Sequence, residues 1–204
     1  MTDRIPLSGF INNFLKYRHL IKELVSKDIK LQYRNSVLGV FWNFLQPLLT
    51  TIILVVVFGG VFGGKRAGVV NYPIYLLCGR LIFEFFTQST KRAMRSIPNS
   101  ASVIKKVYVP KYIYPLSNII ANFITFLISL TVLVFFMLYF YFFSNEPPHI
   151  TPYIFLSPIP ILILLLVSIG VGLILSTLTV FFKDVEYLYE VFCTLLFYLT
   201  PIFY

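Results

Sequence analysis

Long apolar runs dominate the chain, and short polar segments separate them. The runs cover about residues 37–62, 72–90, 114–143, 153–182 and 187–204. A helix that crosses a bilayer needs roughly 20 predominantly apolar residues. The third and fourth runs exceed that length, so these helices are expected to tilt, kink or extend past the membrane. The pattern predicts an all-α fold: a polytopic membrane helix bundle with five transmembrane helices over residues 37–204.

Residues 1–36 form a separate N-terminal segment with the pattern of an amphipathic helix. Apolar side chains share one helical face at Phe10, Phe14, Tyr17, Ile21, Leu24 and Leu31. Such a helix is typical of the membrane interface, with its basic residues towards anionic headgroups. Asp28 projects onto the apolar face. Either the helix ends before Asp28, or this carboxylate meets a polar partner there.

Basic residues gather on one side of the predicted membrane. The chain has 17 Lys and Arg against 8 Asp and Glu, a net charge of +9. Fourteen of the basic residues lie before the first span, between the second and third, or between the fourth and fifth, whereas the other two loops hold two. The positive-inside rule therefore predicts a cytoplasmic N-terminus. A nucleic-acid partner is not expected, because spans flank the basic segments.

The longest predicted cytoplasmic loop, residues 96–115, reads "SIPNSASVIKKVYVPKYIYP". Residues Ala101–Tyr108 are compatible with a short helix, which Pro110 and Pro115 would end. Such a helix would form a compact knob on the cytoplasmic face. An ordinary charged connector is the alternative.

Arg80 and Glu84 lie inside the second predicted span, one helical turn apart. Either charge alone is costly in lipid, but at this spacing the two side chains can form an ion pair. One interpretation is a self-neutralised structural pair. The other is a polar point on a substrate path, since intramembrane charges usually face the protein interior or water.

Candidate groups for catalysis and metal binding are sparse. His19 and His149 are predicted on opposite membrane faces, and no Cys, His or Asp spacing indicates a metal site. No catalytic residue and no metal ligand is therefore predicted. Aromatic side chains beside polar ones, such as Trp42 and Phe83, fit either ordinary packing or stacking on sugar rings.

Three segments in order resemble one transporter family. They are "KDIKLQYRNSVLGVFWNFLQPLL", "SVIKKVYVPKYIYPLS" and "FFKDVEYLYEVFCTLLFYLTPIFY". Together they resemble ABC-2 type exporter permeases, and within them the branch that exports lipid-linked polysaccharides such as O-antigen, capsule and teichoic acid. The resemblance covers essentially the whole chain.

The resemblance implies six spans in a full-length permease, a homodimer, and two copies of a cytoplasmic ABC ATPase. ATP and Mg would bind that ATPase, and this chain would bind no cofactor. The short helix predicted at Ala101–Tyr108 would be a coupling helix, which sits in a groove of the ATPase. The implied ATPase contacts are Lys27, Asp28, Ser102, Ile104, Lys105, Lys106, Tyr108, Lys183 and Asp184. As a hypothesis, the substrate path includes Trp42, Asn43, Phe44, Gln46, Arg80, Phe83, Glu84 and Phe85, with Pro47 bending the first span. The alternative for Asn43 and Gln46 is hydrogen bonding between helices.

The sequence thus predicts the permease of an ATP-driven exporter that moves a lipid-linked glycan across the bacterial cytoplasmic membrane, in contact with membrane lipids. The permease itself would catalyse no reaction. A drug exporter of the same superfamily is the nearest alternative, followed by a glycolipid enzyme and a scaffold. The fifth apolar run stops at "LTPIFY" without a charged flank, so a longer protein is expected.

Overall fold

The computed structural model describes residues 17–34, 36–61, 72–105, 109–143 and 152–200. These residues form seven α-helices and two 3-10 turns, and no strand occurs among them. The α-helices are α1 Arg18–Tyr33, α2 Trp42–Val61, α3 Tyr72–Asn99, α4 Ala101–Ile104, α5 Ile113–Phe143, α6 Pro158–Phe181 and α7 Val185–Leu199. The 3-10 turns are Gly39–Phe41 and Pro152–Leu156. The predicted all-α fold is confirmed.

Three of the described helices are long and apolar enough to cross a membrane. These segments are Gly39–Val57, Ile113–Phe142 and Ile154–Phe181. The second and fifth predicted spans are also helices. However, α3 carries charged residues along its length, and α7 has 15 residues in the described range. The crossing of the membrane by α3 and α7 stays a prediction.

Several helix boundaries differ from the prediction: α6, for example, begins at Pro158 rather than at residue 153. The first span was expected from residue 37, but α2 begins at Trp42, because Gly39 has a positive φ of 52° that interrupts the helix. The second was expected to end near residue 90, but α3 continues to Asn99. Glu186 and Glu190 of α7 form ion pairs with Lys91 and Arg95 of this extension, which stabilises it beyond the apolar run.

The helix predicted in the loop of residues 96–115 is shorter in the described residues than expected. Helix α4 ends at Ile104, and Lys105 forms a turn. Ser100 at its N-cap makes no side-chain capping bond. Predicted helix residues Lys106 and Tyr108 lie outside the described residues.

Helix α3 lies at the centre of the bundle and packs against α5 and α6. Leu77, Leu81 and Phe85 of α3 join Phe126 and Val132 of α5 in one buried cluster. The ring centroids of Phe85 and Phe126 are 4.8 Å apart. This α3–α5 contact fixes the position of the charged residues that α3 carries.

Small side chains line the buried face of α6. Ser168, Gly172, Ser176 and Thr179 are buried at spacings of four, four and three residues. A Cβ atom added at Gly172 would meet Ala93 Cβ at 3.0 Å and Ile119 Cδ1 at 2.9 Å. Small residues at such positions let membrane helices approach closely. Gly172 therefore sets the distance between α6 and the α3–α5 pair.

Helix α1 packs against the beginning of α5. Ile21 and Val25 are buried in a cluster with Ile113 and Ala121. Of the predicted apolar face, Ile21 is buried and Leu24 is partly buried in this cluster, whereas Leu31 is exposed. Phe10 and Phe14 lie outside the described residues. We call the end of the bundle that holds α1, α4 and the α6–α7 turn the basic end.

Helix α7 is joined to α3 near the basic end by polar contacts. Arg95 Nε lies 2.9 Å from Glu186 Oε2, and Arg95 Nη2 lies 3.3 Å from Glu190 Oε1. Deeper in the bundle, the Tyr189 hydroxyl donates to Thr90 Oγ1 at 2.7 Å in a buried hydrogen bond. Cys193, one turn along α7, is buried beside Tyr189 and Met94.

We expect Arg95→Ala to increase the rate at which a maleimide labels Cys193 by roughly threefold to tenfold. Arg95 is half-exposed, so its two ion pairs together contribute about 1 kcal/mol to the α3–α7 contact. Since the chain has two cysteines, a Cys78→Ser background leaves Cys193 as the reactive thiol. High salt should raise labelling more in the protein that retains Arg95 than in the Arg95→Ala variant, which keeps the 3.7 Å pair between Lys91 Nζ and Glu190 Oε1. Equal labelling in Arg95→Ala and an Arg18→Ala control would contradict the prediction.

Candidate functional site

Pro47 changes the hydrogen bonding of the first span. Proline has no N–H, so it cannot donate to the carbonyl four residues earlier, that of Asn43. Ser129 Oγ of α5 lies 3.2 Å from this Asn43 oxygen and also 3.2 Å from the carbonyl oxygen of Thr125. The serine hydroxyl therefore bonds across from α5 to α2 at the position where the helix lacks its own donor.

The side chain of Asn43 is held at the same place. Its Oδ1 accepts a short hydrogen bond from the Tyr33 hydroxyl at the end of α1. Its Nδ2 is buried and has no hydrogen-bond partner among the described residues. Asn43 thus joins α1, α2 and α5 by hydrogen bonds, and its Nδ2 is still able to donate.

A polar cavity of about 60 Å³ lies beside Asn43. Its walls combine amides, hydroxyls and one carboxylate with a few apolar side chains. They are formed by Gln32, Asn43, Gln46, Pro47, Leu81, Glu84, Phe85, Gln88, Asn122, Thr125, Phe126 and Ser129. Helices α1, α2, α3 and α5 meet here, so the cavity lies where the N-terminal helix joins the bundle.

Glu84 and Gln88 line both this cavity and a larger groove on the adjacent face of α3. Glu84 Oε1 accepts a hydrogen bond from Gln88 Nε2 at 3.0 Å, and Glu84 Oε2 lies 3.6 Å from Arg80 Nε. The groove has a volume of about 420 Å³. It is lined by Leu54, Arg80, Phe83, Glu84, Thr87, Gln88 and Phe197. The ion pair expected from the sequence is therefore formed, and it faces two different spaces.

The residues predicted for the substrate path fall into three places. Those that line the polar cavity are Asn43, Gln46, Glu84 and Phe85, and those in the groove are Arg80, Phe83 and again Glu84. The Phe83 ring lies 5.3 Å from that of Phe197. Trp42 is exposed, and Phe44 packs against the α3–α5 cluster. Trp42 and Phe44 line neither space, and the path assignment itself stays a prediction.

Several polar residues of the cavity were not singled out from the sequence. Asn122, Thr125 and Ser129 recur at spacings of three and four in an otherwise apolar run, and Gln88 is one turn beyond Glu84. Polar residues at this spacing share one helical face. This repeat is the sequence feature from which a polar face on α5 could have been predicted. Asn122 Nδ2 donates to Ser89 Oγ at 2.8 Å, so it also joins α5 to α3.

A second groove, of about 470 Å³, opens at the basic end. The predicted ATPase contacts Ile104, Lys105 and Lys183 line it together, with Glu186 and Tyr187 of α7. Ser102 and Asp184 are exposed nearby in the chain but do not line the groove. The structure therefore brings the end of α4 and the α6–α7 turn to one surface, although they are far apart in sequence.

Lys27 and Asp28, the other predicted ATPase contacts, lie on α1. Lys27 is exposed, whereas Asp28 is half-buried. Burial raises the pKa of the Asp28 carboxyl above its ordinary value, while the positive charges of Lys27 and Arg92 act to lower that pKa. Since α1 continues to Tyr33, the helix does not end before Asp28. The first alternative is therefore excluded, and a polar partner of Asp28 stays a prediction.

Comparison with known proteins identifies the family. Residues 19–204 match the ABC-2 type transporter family. The O-antigen export system permease protein RfbA of Klebsiella pneumoniae is 31% identical over 91% of this chain and 68% of its own length. The protein of that name from Myxococcus xanthus is 30% identical over 95% of this chain and 71% of its own. The capsule polysaccharide export inner-membrane protein CtrC of Neisseria meningitidis is 25% identical over 48% of this chain and 36% of its own.

These similarities confirm the resemblance to permeases of the polysaccharide-export branch that the three sequence motifs predicted. They also confirm that the chain is a transport subunit rather than an enzyme. The described helices, the ion pair within α3 and the groove at the basic end are thus features of a membrane permease. The chain belongs to the ABC-2 type transporter family.

Proposed function

We propose that this protein is the permease subunit of an ATP-driven exporter that moves a lipid-linked polysaccharide across the bacterial cytoplasmic membrane. The observation that carries the proposal is the similarity of nearly the whole chain to O-antigen export permeases. The polymer is O-antigen, capsule or a teichoic-acid-like chain. Its carrier lipid and sugars would require a path with both apolar and polar walls.

In this proposal the basic end faces the cytoplasm and two copies of the permease form a homodimer. Two copies of an ABC ATPase bind ATP and Mg and dock at the basic end. The groove between α4 and the α6–α7 turn supports this docking, because Lys105, Lys111 and Lys183 surround an otherwise largely apolar surface. A motion of the ATPases would reach α3 and α7 directly, since these helices continue into the groove walls.

The groove beside Arg80 is the proposed contact surface for the substrate. Arg80 offers a cation for a carrier phosphate, and Phe83 and Phe197 offer ring faces for sugars or the lipid. The exposed apolar faces of α2 and α6 would contact membrane lipids or the second permease. A path between two copies would use one such groove from each.

The proposal is tested by affinity purification of the full-length protein from its native membrane, followed by mass spectrometry of bound proteins and lipids. A stoichiometric ATPase with a polyprenyl-linked glycan would support the exporter. An ATPase without any glycan would favour export of a small molecule. Absence of an ATPase under conditions that preserve membrane complexes would overturn the proposal.

Reversing two charges of the basic-end groove should release the ATPase. We expect Lys105→Glu with Lys183→Glu to reduce the ATPase recovered with the permease by about tenfold, the effect of roughly 1.4 kcal/mol on binding. The measurement is quantitative co-purification at fixed permease amount. Lys22→Glu, an exposed lysine of α1 outside the groove, serves as the control. Equal recovery from the double variant and the control would exclude this groove as the docking surface.

A further inference from the structure

The buried amide of Asn43 requires a partner that the described protein atoms do not provide. Asn43 is 9% exposed, and its Oδ1 is already bonded to Tyr33. Its Nδ2, with two hydrogens to donate, has no acceptor among the described residues. Buried polar groups are almost always satisfied by protein or by ordered water. The donor therefore indicates a bound molecule with acceptor atoms.

The cavity at Asn43 has the size and the chemistry of a hydration site. Cavities that stay dry are apolar, whereas polar cavities with several partners hold water. This cavity measures about 60 Å³ and is lined by five side-chain amides, two hydroxyls and the Glu84 carboxylate. Each water takes about 15–30 Å³ of such a space. The cavity is too small for a sugar ring, and the described residues contain no group of three or more His, Cys, Asp or Glu side chains that could hold a metal ion.

Glu84 has room for additional hydrogen bonds on the cavity side. An ionised carboxylate has about four acceptor sites. Gln88 Nε2 occupies one site on Oε1, and Arg80 approaches Oε2 at 3.6 Å. The side chains of Arg80 and Glu84 are only 19% and 28% exposed. Water in the cavity would therefore find open acceptor sites on this carboxylate.

We propose that the polar cavity holds a cluster of about two to four water molecules that accepts hydrogen bonds from Asn43 and solvates Glu84 on the face of α3 next to the Arg80 groove. The cluster connects the end of α1 to the ion pair inside α3. Its role is to hydrate the part of the Glu84 carboxylate that the contacts with Gln88 and Arg80 leave open.

The experiment is hydroxyl-radical footprinting by X-ray radiolysis of the full-length protein in ¹⁸O-labelled water. Radicals form where water is, so buried side chains beside bound water are labelled. Phe85 and Phe126 line the cavity and are 3% and 4% exposed. Tyr114 and Met94 are equally buried, at 3% and 0%, and line none of the three spaces described above. We expect at least threefold faster labelling of Phe126 than of Tyr114, and equal rates would overturn the proposal.

Paired variants test the polar walls. Asn43→Leu removes the buried donor, and Asn118→Leu makes the same change on α5 at a partly buried residue outside the cavity. Thr125→Val removes a cavity hydroxyl, and Thr131→Val removes an exposed one from the same helix. We expect each cavity variant, and neither control, to reduce Phe126 labelling at least threefold. If Asn43→Leu does not fold, Thr125→Val decides, and unchanged labelling there would refute the water cluster.

Discussion

Replacing Glu84 with leucine is expected to lower the melting temperature of the protein by about 5–10 °C and to abolish transport. The change removes the partner of Arg80 and leaves a cation inside the bundle. Breaking a buried ion pair costs roughly 3–5 kcal/mol, and the partial exposure of both side chains reduces this to about 2–3 kcal/mol here. For a chain of this length, each kcal/mol shifts the melting temperature by about 2–4 °C. Thermal unfolding can be followed with a thiol-reactive dye, because Cys193 is buried and Cys78 half-buried.

A double-mutant cycle separates the two interpretations of the pair. Arg80→Leu combined with Glu84→Leu removes both charges, so stability should recover relative to either single variant. If the pair is only structural, transport should recover with stability. We expect transport to stay abolished in the stable double variant, because Arg80 would contact the substrate. Additive losses of stability would show instead that the two side chains are not coupled.

Enlarging Gly172 should be the most damaging change on α6. A leucine side chain would have to displace Ile119 of α5 and the Cβ of Ala93 on α3, and the second atom cannot rotate away. Overpacking of a close contact costs typically about 1–3 kcal/mol, and the upper part of that range is expected where three helices meet. We expect a large loss of folded protein in detergent, measured by size-exclusion chromatography.

Gly170 provides a matched control in the same helix. It is exposed, and nothing lies within 4 Å of a Cβ atom placed there. Gly170→Leu should be neutral or slightly stabilising, since leucine favours helix over glycine by up to about 1 kcal/mol. If both leucine variants behave alike, the α6 contact does not depend on the absence of a side chain at Gly172.

The apolar runs were sufficient to predict the helical fold, but not where every helix begins and ends. Hydropathy places helix ends where apolar residues stop, whereas α3 continues to Asn99 through contacts with α7 that form only in the folded bundle. The start of α2 depends on the backbone conformation of Gly39. Such features depend on residues distant in sequence or on local dihedral angles, and periodicity reports neither.

The candidate site was predicted in part. Residues Arg80 and Glu84 could be paired from their spacing alone, because one helical turn fixes their distance. The cavity could not be predicted, because such a prediction requires knowing that Asn122 and Ser129 of α5 lie in the same cavity wall as Asn43 of α2. Similarly, the sequence indicated that Pro47 would bend its helix, but the contact that replaces its missing hydrogen bond belongs to α5.

That contact has a consequence for how the protein is made. Ser129 is 86 residues beyond Asn43. At about 5–20 residues per second, a ribosome takes about 4–17 seconds to synthesise that stretch. Throughout this time the first span has a carbonyl oxygen in its early turns that its own helix cannot satisfy. Because of the proline, the first span therefore has one unpaired carbonyl oxygen during biogenesis. That oxygen gains its hydrogen bond when the third span is synthesised and brings Ser129 to it.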